Sequence, residues 1–217
     1  AVGNTTALGA LTANSTGTTL FSTVNAASLT TDVGGTTQLN GNITTTGVQT
    51  FGDAVQLNSA ITLATTNSAV LFGSSINSET SEINVLTLNT GSGDITFTGA
   101  VGNTTALGAL TANSTGTTLF SSTVNTASLI TDAGGTTQLN GNITTTGAQT
   151  FGDAVQLNSA ITLSTNNSAV VFGSTVNSEP SETNGLTLNT GSGDITFTGA
   201  VGNTTALGAL TANSTGT

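Results

Sequence analysis

The eighteen residues AVGNTTALGALTANSTGT, at positions 1–18, return unchanged at 100–117 and again at 200–217. Between the first two occurrences the copies keep step: Val24 to Gly99 matches Val124 to Gly199 at an offset of 100, with about a dozen substitutions. One extra residue, in Phe120-Ser121-Ser122-Thr123-Val124 against Phe21-Ser22-Thr23-Val24, separates the two frames. The chain is therefore a tandem array: a first repeat at 1–99, a second at 100–199, and the start of a third at 200–217. The third copy stops in mid-stretch and Ala1 opens the chain without a signal-like segment, so the expectation is a window of a longer array.

A shorter unit lies inside the repeat. A large apolar residue is followed four positions later by Val or Ile in Phe120 and Val124, Leu139 and Ile143, Phe151 and Val155, Phe172 and Val176, and Phe197 and Val201. The intervening triplets SST, NGN, GDA, GST and TGA are small or polar and tolerate the backbone angles of a tight corner. Between corners, stretches such as Leu186-Thr187-Leu188 and Ile195-Thr196-Phe197-Thr198 alternate apolar and hydroxyl residues, the period-2 pattern of a half-buried strand. No sustained 3.6 period marks a helix, and Gly or Asn interrupts every candidate. The corners are 19, 12, 21, 25 and 23 residues apart, the last counted into the next repeat, a mean of 20.

A coil of three short strands needs about 20 residues. The expected fold is thus all-β, a parallel β-solenoid with about 20 residues per coil and about five coils per 100-residue repeat, forming one continuous stack. One repeat would rise roughly 24 Å. The 12-residue step from Leu139 to Phe151 is too short for a whole coil. Thr66 against Asn166 and Thr80 against Pro180 are expected in loops, whereas Leu71 against Val171 and Ile76 against Val176 stay aliphatic. Asn77 to Val85, where Ile83 faces Thr183 and Val85 faces Gly185, is expected outside the regular stack. Disorder is the competing reading of so much Gly, Ser, Thr and Asn, but 35% hydrophobic and 5% charged residues argue against it.

Composition narrows the chemistry. Ten Asp and Glu meet no Lys, Arg or His, giving a formal charge of −10 and no internal side-chain ion pair. Nucleic-acid binding needs cations to neutralise phosphate, and zinc, haem and iron–sulfur sites want Cys or His, all absent here. No apolar run approaches the ~20 residues that span a bilayer, so no membrane insertion of this segment is expected. The absence of cysteine removes any disulfide framework.

The carboxylates are the remaining candidates. Gly91-Ser92-Gly93-Asp94, repeated as Gly191 to Asp194, partly matches a β-roll calcium turn, which makes Asp94 and Asp194 calcium candidates. The alternative is that these aspartates cap turns by accepting backbone N–H bonds. Glu79 with Glu82, and Glu179 with Glu182, pair carboxylates as a glycosidase does, yet NSETSE and NSEPSE look like exposed loops and are better taken as solvated charge. No catalytic residue and no cofactor is assigned, calcium aside, and an enzyme is not expected. Asn4, Asn14 and Asn42 lie in Asn-x-Ser/Thr sequons, for which ladder stacking between coils is the simpler role. Ice binding would need a continuous threonine column. One place before the corner residues stand Leu119, Gln138, Thr150, Val171 and Thr196, and two places before stand Thr118, Thr137, Gln149, Val170 and Ile195.

The segments GGTTQLNGNITTTGAQTFGDAVQLNSAITL (134–163) and GLTLNTGSGDITFTGAVG (185–202) resemble the β-strand-rich repeats of large bacterial surface and secreted proteins related to filamentous haemagglutinin-type adhesins. That resemblance implies an exported, extended right-handed parallel β-helix working as a stalk, fibre or adhesive shaft. The expected function is a non-enzymatic structural segment of an extracellular or cell-surface fibre that self-associates end to end or laterally. A Thr-rich ice-binding solenoid and a calcium-stabilised surface-layer or matrix protein are the alternatives.

Overall fold

The computed structural model describes residues 1–217, which form short strands, turns and bends and no helix. Strands of three to eight residues pair in parallel with the coil before and the coil after, at sequence separations from 18 to 25. One unbroken ladder runs through Val2, Val24, Ile43, Leu63, Leu88, Ala112, Thr131, Phe151, Phe172 and Phe197, so the chain makes ten coils of a parallel β-solenoid. Each expected corner is present: Phe120 closes the strand Thr117–Phe120 and Val124 opens Val124–Thr131, Leu139 and Ile143 bracket the next corner of that kind, and Phe172 and Val176 a later one.

The registers also fix how the sequence repeat sits on the coil. Each coil has three sides, and after Thr131 the chain passes Leu139 on the second and Ile143 on the third before regaining the first at Phe151. Ile43 is the third rung of the ladder traced above, whereas Ile143 lies two sides beyond the seventh rung. One repeat therefore advances four and two-thirds coils, in keeping with the expected count of about five. Its rise is about 22 Å, and each repeat is turned by one third of a turn against its neighbour. The 12-residue step is explained, because Leu139 pairs with Leu157 while Phe151 pairs with Thr131, and the interval between them covers two sides of a coil. The corners do not form one column, so the two mixed columns obtained by aligning them, neither of them continuous threonine, are replaced by those in the registers.

Alternation in the strands sorts the side chains. Inward positions build one cluster of 37 buried apolar residues, so the two full repeats share a single core. Phenylalanine rungs stack within it: Phe51, Phe72, Phe97 and Phe120 lie ring on ring at 5.0–5.2 Å, and Phe151, Phe172 and Phe197 form a second ladder at 4.8–5.3 Å on another side. Leu71, by contrast, points outward between buried Val70 and Phe72. The segment expected to leave the stack does so only in part. Asn77 and Ser78 belong to the strand Ile76–Ser78, and Asn84 is buried with its amide donated to the Leu57 carbonyl at 2.9 Å; Glu79 to Ile83 form the projecting turn.

Close stacking demands glycine at certain corners. A Cβ on Gly135 would come within 2.3 Å of the Gly116 carbonyl oxygen and 2.6 Å of the Ser114 carbonyl oxygen, both main-chain atoms of the coil below. The site is closed to any side chain.

Candidate functional site

The carboxylates were the sequence's only chemistry, and the structure gives each aspartate a mechanical task. Asp94 Oδ1 accepts the Thr117 N–H at 2.7 Å and Asp194 Oδ1 accepts the Thr217 N–H at 2.9 Å. Asp32 and Asp132 take the N–H groups of Ser15 and Ser114 at 2.9 and 2.8 Å. Asp53 and Asp153 take those of Gly35 and Gly135 at 2.7 and 2.8 Å. In every case the donor lies 17 to 23 residues away, one coil along, so all six aspartates staple neighbouring coils at a corner where the strand ladder is interrupted. No three acidic side chains converge on a point. The thermal midpoint is expected to be the same in millimolar calcium as in chelator; a fall of several degrees on chelation would return Asp94 and Asp194 to the role of ligands.

Asp153 is the most constrained of these groups. It is buried, and besides Gly135 it accepts the hydroxyl of buried Thr137 at 3.0 Å through Oδ2. Burial pushes its carboxyl above the usual aspartate range, the two hydrogen bonds pull it back, and the Asp132 charge on the adjacent coil adds to the rise.

Glu79 and Glu82 occupy an exposed turn closed by the Glu82 N–H on the Glu79 carbonyl at 3.3 Å, with Ser81 at a φ of 73°; Glu179 to Glu182 repeat it. Loss of solvation and then the Glu82 carboxylate, which also hydrogen-bonds it, hold the Glu79 carboxyl above its ordinary value, and Glu182 does the same to Glu179. None of these glutamates lines a surface groove.

Two buried polar residues escaped the sequence reading. Gln49 and Gln149 are fully buried, and the Gln149 amide donates to the Ile143 carbonyl, the Thr145 hydroxyl and the Ser164 carbonyl at 3.5, 3.2 and 3.0 Å. Its acceptor oxygen has no partner in the chain. Period-2 alternation was signal enough, since Gln149 and Phe151 share a face and Phe151 is a corner residue.

Outside, amides and hydroxyls stack between coils. Asn113 donates to Asn89 at 2.7 Å, Asn213 to Asn189 at 2.8 Å, and Asn42 and Asn142 each accept a main-chain N–H, from Thr62 and Thr162, at 2.8 Å. The sequon residue Asn42 and Asn113, the counterpart of Asn14 in the second repeat, thus act in coil stacking. One outward column is β-branched on seven successive coils: Thr62, Thr87, Thr111, Ile130, Thr150, Val171 and Thr196. On the next side the column passes from Thr96 to Leu119, Gln138 and Gln156.

Parallel coils, a shared core and inter-coil staples define a tandem-repeat β-solenoid. No protein-family model, curated protein or solved structure matches the chain.

Proposed function

We propose that this chain is a non-enzymatic structural segment of an extracellular fibre or giant adhesin shaft, displayed at a cell surface and able to associate with further copies end to end or laterally. The observation that carries this reading is the seamless junction between repeats: Phe97 of the first stacks on Phe120 of the second at 5.0 Å, in the same ladder as Phe51 and Phe72. Repeats can therefore be added without a new kind of interface, and each adds length and stiffness. Every acid is spent on corners or on a solvated turn, and no cation is present to hold a phosphate backbone, which supports a role without catalysis or nucleic acid. Two measurements test the proposal. Chains of two, four and six repeats should lengthen by about 22 Å per repeat in electron micrographs. Antibody against the Glu79–Ile83 turn should label intact producing cells; label seen only after lysis overturns the surface assignment.

The β-branched column from Thr62 to Thr196 favours ice binding as a second reading, because its hydroxyls and methyls repeat at the strand spacing along one side. The one-third turn per repeat breaks that side after a limited number of coils, which favours the shaft. Thermal hysteresis separates them: a shaft gives none, and a clear freezing-point gap at micromolar protein would replace it with the ice reading.

A further inference from the structure

The two repeats carry the same groove at the same place. In the first, Gln56, Asn77, Thr36, Ala54 and the bend at Thr104 and Thr105 line an open groove of about 260 Å³. In the second, the residues 100 positions further on enclose about 220 Å³. Gln56 and Asn77 are register partners on adjacent coils, each outward between two buried neighbours. Asn77 Oδ1 accepts the N–H groups of Thr104 and Thr105 at 2.9 and 3.3 Å, and Asn177 holds Thr204 and Thr205 at 3.0 and 3.3 Å. The acceptor thereby holds the Thr104–Thr105 bend at the groove while the Asn77 amide N–H₂ stays without a partner. Gln56 Oε1 is taken by the Gln38 amide at 2.8 Å, which likewise leaves the Gln56 N–H₂ free.

We propose that each repeat binds a segment of a neutral oligosaccharide in this groove, through Gln56 and Asn77 in the first repeat and Gln156 and Asn177 in the second. No charged side chain lines either groove, which disfavours anionic and cationic ligands. The strand containing Gln56 is paired on both sides, with Gln38 and with Asn77, so an extended peptide finds no open edge to join. Two free amide donors one coil apart, flanked by threonine hydroxyls that both donate and accept, match the spaced hydroxyls of a sugar chain. The volume is below the ~300 Å³ of enclosed small-molecule pockets, so the groove takes part of a longer chain. With no aromatic ring to stack on, single-site affinity is about millimolar. The next groove lies about 22 Å further and a third of a turn round, and a flexible polysaccharide that reaches both gains avidity.

This proposal is independent of the shaft reading. Isotope-labelled full chain is titrated with maltohexaose, cellohexaose and chitohexaose while the side-chain amide signals are followed by NMR. At least one sugar is expected to shift the amides of Gln56, Asn77, Gln156 and Asn177 with a dissociation constant of about 1 mM. Gln56→Ala with Gln156→Ala should weaken binding at least about 5-fold, while Thr150→Ala, outward on another side, leaves it unchanged. Circular dichroism confirms that the double variant keeps its strands. The proposal is overturned if no sugar shifts these amides at about 10 mM, if the double variant binds undiminished, or if a neutral Gly-Ser peptide displaces the sugar and shows the groove to be a peptide site.

Discussion

Replacing Phe97 with alanine is expected to lower unfolding free energy by about 3–5 kcal/mol. Its ring is 1% exposed and lies between Phe72 and Phe120, each with centroids 5.0 Å away and planes within 4°. Removal leaves a void walled by two rings and forfeits two aromatic contacts of about 0.5–1.5 kcal/mol each. Because the rungs touch only their neighbours, the loss is local: Phe72→Ala in the same chain should cost less than the sum of the two single changes, since the contact between them is already gone. Thr96→Ala, outward on the same strand, should stay within about 0.5 kcal/mol. Denaturant unfolding reads all three, and a Phe97→Ala loss below about 1 kcal/mol would mean that the ladder is not the core of the stack.

Much of this was legible in the sequence. The 100-residue identity, the corner units and the alternation of Leu186-Thr187-Leu188 were enough for coils and for which residues face inward, because a solenoid is built from local rules repeated. The phase was not legible. Leu139 and Phe151 each look like a large residue before a corner, and nothing local says that they stand on different sides; only pairing across 18 to 21 residues separates them. Alignment by corner type therefore merged two columns and obscured the β-branched one. The carboxylates were harder still. Asp94 in a glycine turn looks the same whether its oxygen meets an ion or an N–H, and the donor, Thr117, is 23 residues distant. The Gln56–Asn77 groove depends on two coils and on a bend from a third, which no short motif encodes.

The third-of-a-turn phase has a mechanical consequence. A solenoid whose turns, staples and phenylalanine ladders all lay on one side would bend toward its better-packed side. With four and two-thirds coils per repeat, each feature moves to the next side and regains its first after three repeats, about 67 Å along the axis. The Phe51–Phe120 ladder ends where Leu139 takes its column, and the Phe151–Phe197 ladder begins two sides further along the coil, so the stiff columns succeed one another around the axis. Near-identical repeats in a non-integral number of coils thus average out their own asymmetry.

Asp153→Ala is expected to cost about 3 kcal/mol, because it leaves the Gly135 N–H and the buried Thr137 hydroxyl without an acceptor at a corner too tight for any added side chain. Asp153→Asn should cost less, since the amide oxygen still accepts from Gly135 and the Thr137 hydroxyl can turn to accept from the amide. The two variants also divide the pH dependence. Burial raises the folded-state pKa of Asp153 above the ~3.9 of an unfolded chain, so the folded form holds its proton to higher pH than the unfolded form does. That contribution is complete below the unfolded value and is lost as pH rises through the folded one; Glu79 and Glu179 shift in the same direction. Unfolding midpoints should therefore climb as the solution is acidified from neutrality toward the carboxylate range, opposite to ordinary acid denaturation, and the climb should be shallower in Asp153→Asn. With no cation on any side chain, falling pH also relieves repulsion that nothing in the chain offsets. A midpoint that falls steadily over the same range would show that the ionised staple is worth more than its burial costs.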